Sequence, residues 1–142
     1  KNLAELLDVA VSNSAPADYF VMPPRNRKNY RNRGFHPIRF LADRSKRLSR
    51  LEPLELRTTR LLADQRRLGK LERFDNLSGA FEMSPASGRV LLVDDVLTTG
   101  ATMAEMARAA QAAGLEVVGS CAIAYSSAFP VLTPAQKGVV CK

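Results

Sequence analysis

Asp94 and Asp95 stand side by side, and Thr98, Thr99, Gly100, Ala101 and Thr102 follow them after two apolar residues. Paired carboxylates can accept hydrogen bonds from two neighbouring hydroxyl groups. The threonine-rich stretch offers side-chain hydroxyls, a glycine free to adopt unusual backbone angles, and the start of an alanine-rich helix whose first amides suit an anion. Acids beside an anion-binding turn fit a ligand that carries vicinal hydroxyls and a phosphate on one small frame. Ribose 5-phosphate is such a ligand.

These groups need elements to bring them together. Val90, Leu91, Leu92 and Val93 form a short apolar run immediately before the acids, the pattern of a strand buried on both faces of a parallel sheet. The acids are then expected at the carboxyl end of that strand, where open α/β sheets place their ligands. Met103, Met106, Ala107 and Ala110 recur at helical spacing and predict a helix from Thr102 to Ala113, with Gly114 as its C-terminal cap. Aspartates and threonines also begin turns and helices without binding anything. Four apolar residues, two acids and Thr-Thr-Gly-Ala-Thr in register favour a site instead. Two other phosphate motifs are absent: no glycine-rich loop ends in Gly-Lys-Ser/Thr, and no Gly-x-Gly-x-x-Gly follows a strand.

With these residues the segment resembles the signature of the type I phosphoribosyltransferases. A second block, Gln65, Leu68, Arg73, Asn76, Gly79, Ala80 and Phe81, is similar to the ComF branch, the competence-associated phosphoribosyltransferase-like proteins. Arg31-Asn32-Arg33-Gly34-Phe35, shortly after the turn at Pro23-Pro24, is similar to that branch too. The resemblance spans Tyr19 to Ala124. It implies an α/β fold of the type I phosphoribosyltransferase kind, with a mostly parallel central sheet flanked by helices.

The resemblance also implies a reaction: transfer at the anomeric carbon of phosphoribosyl pyrophosphate, with pyrophosphate leaving and a nitrogenous acceptor attacking. Asp94 and Asp95 match the acids that contact the ribose hydroxyls, and Thr98, Thr99, Gly100, Ala101 and Thr102 match the phosphate loop. Arg25 stands where the family places its pyrophosphate loop, just after the first strand. Gln65 and Arg73 match the branch motif in the region of the mobile catalytic loop, and Arg66, Arg67 and Lys70 lie in that region outside the motif. Asp94, Asp95, Arg73 and Gln65 are therefore the candidate catalytic residues. Magnesium is the implied cofactor, held mainly through substrate oxygens rather than a protein cage. The acceptor stays unassigned, because nothing in the chain reads as a purine or pyrimidine pocket. Two other readings stay open: a non-catalytic protein that senses phosphoribosyl pyrophosphate or assists DNA uptake, and a nucleic-acid binder acting through a basic segment. The branch implies partners in the competence system.

A chain of 142 residues, 46% of them hydrophobic, fits one globular domain with a real core. The expected domain spans 1–142, with 1–18 as a helical lead-in and 125–142 as an irregular C-terminal segment. No apolar run approaches the ~20 residues of a membrane helix and no signal-peptide pattern is present, so the cytoplasm is the expected address and no membrane partner is expected. Cys121 and Cys141 are the only cysteines and His36 the only histidine, which excludes a four-ligand Cys/His zinc site within this chain. Cys121 is expected as a buried, reduced thiol. ComF proteins commonly carry a cysteine-rich zinc element ahead of this domain; the present chain starts at Lys1, not methionine, as an excerpt of a longer protein would.

Along the chain, Leu3, Leu6, Leu7 and Ala10 predict a short amphipathic helix, and Asp18 to Met22 the first core strand, closed by Pro23-Pro24. Arg25 to Gly34 reads as a basic loop. A helix is expected within Phe35–Leu48, with Pro37 near its start and Phe40, Leu41 and Leu48 among its apolar positions. Short strands are expected at Leu54–Arg57 and Ala80–Met83, a polar stretch at Thr59–Asn76, and a buried strand at Leu115–Ala124. Strands separated by helices argue for a parallel sheet with right-handed crossovers.

The net charge of +7 is unevenly spread: Arg25 to Arg73 holds 16 basic and 5 acidic residues, and the rest of the chain is net acidic. A basic segment facing acids across a cleft suits a magnesium-bound polyphosphate. The same charge should give DNA binding that is weak and nonspecific, because phosphate neutralisation releases counterions. In a gel-shift titration that binding is expected to fade towards physiological salt and to be competed by magnesium–phosphoribosyl pyrophosphate. Nanomolar binding that resists both would make the chain a dedicated DNA binder.

Overall fold

A computed structural model describes residues 2–24, 36–60, 70–125 and 140–141 of the chain. Its organising element is β5 (Gly88–Leu97), which lies in the middle of a five-stranded sheet of order β2-β1-β5-β6-β7. β1 (Tyr19–Val21), β2 (Glu52–Leu54) and β6 (Leu115–Tyr125) run parallel to it, and β7 (Val140–Cys141) closes the edge antiparallel to β6. The sheet is thus mostly parallel and flanked by helices, the α/β architecture expected.

The apolar run of β5 divides between two cores, as alternation along a strand requires. Val90 and Leu92 join Val21, Ala122 and the buried face of helix α4 (Ala101–Ala112). Leu91 and Val93 join Phe20, Cys121 and the two helices on the opposite face, α1 (Leu3–Ser12) and α2 (Pro37–Ala42). All four are essentially inaccessible, so this strand carries the expected double-sided burial. A one-residue register shift between Val90 and Leu91 pairs them with Val117 and Gly119, leaving Val118 as the extra residue. By changing the parity of β6, the shift places Cys121 on the α1 side and Ala122 on the α4 side.

Several local expectations are corrected. In α1 the packed stripe is Ala4, Leu7, Ala10 and Val11 rather than the Leu3 and Leu6 edge; Leu3 is 54% exposed. A capping box sets this phase, with the Asn2 side chain accepting from the Ala4 amide and Glu5 accepting from the Asn2 amide. α2 starts at Pro37, as expected, with His36 as its cap, but ends at Ala42; Leu48 is buried on a separate 3-10 turn, Leu48–Arg50. Phe40 is not a core residue, being 46% exposed with the Arg44 guanidinium 3.5 Å above its ring. The single strand expected at Leu54–Arg57 is two. β2 takes the sheet edge, where Pro53 is tolerated, and β3 (Arg57–Thr58) pairs antiparallel with β4 (Phe81–Glu82). The polar stretch Thr59–Asn76 contains most of helix α3 (Lys70–Leu77). The segment 125–142, expected to be irregular, contributes β7.

α4 and β6 meet through Gly114, the expected cap. Its φ is +100°, its amide donates to the Gln111 carbonyl at 3.0 Å, and a Cβ there would lie 2.8 Å from the Ala86 carbonyl oxygen. Gly114→Ala combines a left-handed backbone with a clash against main chain, so it is expected to destabilise the fold by more than ~1 kcal/mol in urea unfolding. A neutral substitution would show that this turn relaxes freely.

Candidate functional site

The acids sit towards the carboxyl end of the strand, as expected, as the seventh and eighth of its ten residues. β6 is long enough to pair with β5 through Asp94 (opposite Ala122), Val96 (opposite Ala124) and Leu97 (opposite Tyr125), which extends β5 past both aspartates. Asp94 is therefore only 9% exposed, while Asp95 is half-buried. Each carboxylate also engages the next amide. Asp94 Oδ1 accepts from the Asp95 N–H at 2.8 Å, and Asp95 Oδ1 accepts from the Val96 N–H at 2.8 Å. These bonds turn both carboxyl groups along the strand towards its carboxyl end.

Thr98, Thr99 and Gly100 bend the chain from β5 into α4. Gly100 caps the helix with a φ of +83°, a left-handed conformation that a side chain would strain. Thr99 Oγ1 accepts from the Ala101 amide at 3.3 Å, and Ala101 itself is buried against the core. The first-turn amides beyond it have no intrahelical acceptor, so an anion approaching the half-buried Thr98–Thr102 turn meets donors and the positive end of a three-turn helix. One compact corner of the fold thus unites Asp94, Asp95, Thr98, Thr99, Gly100, Ala101 and Thr102.

The other expected site residues divide. Arg73 and Asn76 lie on α3, and of Arg73 the backbone alone is described. Leu77 at the end of α3 packs with Met103 and Met106 of α4, so α3 shares the face of the sheet that α4 covers. Gln65, Arg66, Arg67 and Arg25 lie outside the described residues, as does Arg31–Phe35. Among the described residues no group of three His, Cys, Asp or Glu side chains is placed to hold a metal ion, and no helix is long and apolar enough to cross a membrane. A cavity of about 280 Å³ beside Ala17, Arg47, Arg50 and Leu51 lies near the amino ends of β1 and β2, at the far end from Asp94.

An ion pair between a buried carboxylate and a half-exposed arginine escaped the sequence reading. Glu105, only 5% exposed, and Arg108 on α4 bond to one another and to the main chain of Phe81. A signal was present: Ala101, Glu105 and Ala109 form an i, i+4, i+8 row, and a carboxylate between two alanines on the buried row needs a partner. Burial raises the Glu105 carboxyl, but the Arg108 hydrogen bond, the Phe81 amide and the Arg108 charge outweigh it and leave it below the ordinary value.

Asp94 shows the opposite balance. Burial, then the negative charge of Asp95 and the side-chain hydrogen bond with it, push its pKa from the ordinary 3.8 up to about 8, against the Asp95 amide, which lowers it. An acid with a higher pKa in the folded chain than in the unfolded one takes up a proton on folding. Its contribution to stability is complete below about pH 4 and is lost as the pH climbs through about 8. Asp94→Asn is expected to remove this decline from urea unfolding measured between pH 4 and pH 8, and to be the more stable protein at the alkaline end. An unchanged slope would assign the decline to other groups.

Comparisons with known proteins give a family and a fold likeness. The phosphoribosyl transferase domain model matches residues 54–135, more than half of the chain and inclusive of β5, the turn and α4. No curated protein matches. Among solved structures, the adenine phosphoribosyltransferase of Saccharomyces cerevisiae, complexed with D-2,5-dideoxy-2,5-imino-altritol 1,6-bisphosphate and adenine, is similar at 16% identity and a TM-score of 0.47. The alignment covers 87% of this chain and 66% of that one, so this chain spans slightly less than two thirds of that protein. With the family model running through the central strand, the acidic pair and the helix that follows, the chain belongs to the phosphoribosyl transferase domain family.

Proposed function

We propose that this protein binds magnesium–phosphoribosyl pyrophosphate at the Asp94–Thr102 corner and transfers its phosphoribosyl group to a nitrogenous acceptor. The observation that carries this reading is the juxtaposition of two adjacent carboxyl groups with the amino end of α4 across one bend. Asp94 and Asp95 take the ribose hydroxyls, and the Thr98–Thr102 turn takes the 5-phosphate through hydroxyls and amides. Asp94 then accepts as a carboxylate, so binding near neutral pH displaces its proton. Arg25, Gln65 and Arg73 are assigned to the pyrophosphate and the closing segment on their resemblance alone.

In the step itself, the C1′–oxygen bond to pyrophosphate breaks as the C1′–nitrogen bond forms, and the acceptor loses its proton. The carbon passes through a cation-like state. Carboxylates near the sugar, and a frame that holds the leaving group in line, favour that state over free reactants. The oxygen-only donor set of Asp94, Asp95 and the threonines suits a hard divalent cation that arrives on the substrate. Magnesium bound with the pyrophosphate would supply neutralisation of the leaving charge. The Gln65–Phe81 block supports placement in the ComF branch and hence a link to DNA uptake.

Magnesium–phosphoribosyl pyrophosphate at a hundredfold excess over its dissociation constant is expected to stabilise the fold by about 2.7 kcal/mol, read as a thermal shift. Asp94→Asn combined with Asp95→Asn should abolish the shift while the far-ultraviolet circular dichroism stays native. A flat titration, with ribose 5-phosphate and pyrophosphate also inactive, would overturn the reading. Pyrophosphate release across a panel of nucleobases identifies the acceptor; binding with no release from any of them assigns a ligand sensor instead.

A further inference from the structure

Glu105 lies one helical turn, about 6 Å, along α4 from Ala101 in the phosphate-binding turn. Its Oε1 accepts from the Phe81 amide at 3.0 Å and from Arg108 Nη2 at 2.8 Å; its Oε2 accepts from Arg108 Nε at 2.8 Å. Arg108 Nη2 also donates to the Phe81 carbonyl at 2.6 Å. Both main-chain groups of one β4 residue are therefore held by an ion pair on a helix. β4 has β3 on its other side, so α4 covers the free edge of this two-stranded sheet as a third strand would.

The two strands are tied to α3 as well. The Thr59 amide donates to the Ala80 carbonyl at 2.9 Å, and Thr59 Oγ1 donates to the Gly79 carbonyl at 3.0 Å. Arg60 Nη2 donates to the carbonyls of Asn76 and Ser78 at 2.9 and 3.3 Å, so its charge closes the C-terminal end of α3. β3, α3 and β4 thus form one tied unit, and that unit docks on α4 at the Glu105–Arg108 pair with Leu77, Ala80 and Phe81 packed against Met103 and Met106. Stability alone does not call for an ion pair here. A pair whose arginine is half-exposed adds little stability, whereas contact with both the N–H and the C=O of a single residue sets position and orientation together.

We infer that Glu105 and Arg108 are positioning residues, which hold the β3–α3–β4 unit in fixed relation to the phosphate-binding turn one helical turn away, so that ligand at the turn is felt by the unit carrying Arg73 and Asn76. This inference rests on the binding reading given above. Ligand seated on Thr98–Thr102 engages the first turn of α4; Glu105 is the next point on that helix, and Phe81 is attached to it by both its amide and its carbonyl.

The test compares the intact chain with Arg108→Ala and Arg108→Lys. Hydrogen exchange is followed with and without ribose 5-phosphate, alongside the kinetics of pyrophosphate release from magnesium–phosphoribosyl pyrophosphate in the presence of the nucleobase that supports release in the panel above. In the parent, ribose 5-phosphate is expected to slow exchange at residues 77–82 as well as at the turn. Arg108→Ala should keep ribose 5-phosphate affinity within about twofold and leave β5 exchange unchanged, as expected of a change remote from the ligand. It should also lose the slowing at 77–82 and lower kcat by about tenfold or more with little change in KM. Arg108→Lys, which reaches the Phe81 carbonyl but cannot fork to Glu105, should lie between the two. The inference is overturned if Arg108→Ala keeps both the slowing and kcat, or if affinity, kcat and β5 protection fall together as in simple destabilisation. A parent protein that binds neither ribose 5-phosphate nor phosphoribosyl pyrophosphate overturns the binding reading, and this inference with it.

Discussion

The fold depends on a strand that cannot be left exposed on either side. Val90–Val93 places apolar side chains on both faces of β5, and burying four such residues contributes several kcal/mol, on the order of 1.5–3 kcal/mol each. One layer of helices could satisfy only half of them. The α1 and α2 layer on one face and the α4 layer on the other are the consequence, and parallel partners on both edges satisfy the backbone of the strand between them. With both faces and both edges occupied, the carboxyl end of β5 is where the strand can emerge and meet a ligand.

The same burial creates the electrostatic tension of the site. Asp94 continues a row of buried residues and has lost most of its water, with a second acid adjacent. A group in that position is more stable protonated, and a ligand that supplies hydroxyl donors or a cation relieves the cost of its charge. The turn that follows holds the complementary feature, amides at a helix start that have no intrahelical acceptor. Negative and positive ends therefore face a common space without any residue being recruited from a distant part of the chain. Elsewhere, carboxylates drawn out of water are compensated: the half-buried Asp8 accepts from Ser45 Oγ and from the Lys46 and Arg47 amides, fastening α1 to the segment after α2. Glu105 is satisfied by Arg108 and Phe81. Among the described residues no buried side-chain polar atom lacks a partner, so the tension at Asp94 lies in its charge rather than in a missing bond.

Much was legible in the amino-acid order because local chemistry decided it. Four consecutive apolar residues announce a central strand; Gly100 and Gly114 mark a helix by the positive φ angles its two ends require; Pro37 announces the start of α2. The corner from Asp94 to Thr102 was legible for the same reason: its residues are contiguous, and the bend between strand and helix brings them together. The family that this run resembles is the one to which the chain belongs.

What the order of residues left open, the tertiary structure decided, and the cause is in each case a partner distant in sequence. Asp94 is a strand residue rather than a loop residue because β6 extends far enough to pair with it. Cys121 faces α1 because one extra residue at Val118 reverses the parity of β6, an event invisible to alternation counted on one strand. Phe40 and Leu3 are apolar yet exposed, because neither α1 nor α2 turns that edge towards the sheet. The Glu105–Arg108 grip needs Phe81, which is 24 residues from Glu105 and on another element. Short-range order sets which elements form and which chemistry they can carry; only packing decides which face each element hides and what meets across the gap, because those choices belong to surfaces that neither segment possesses alone.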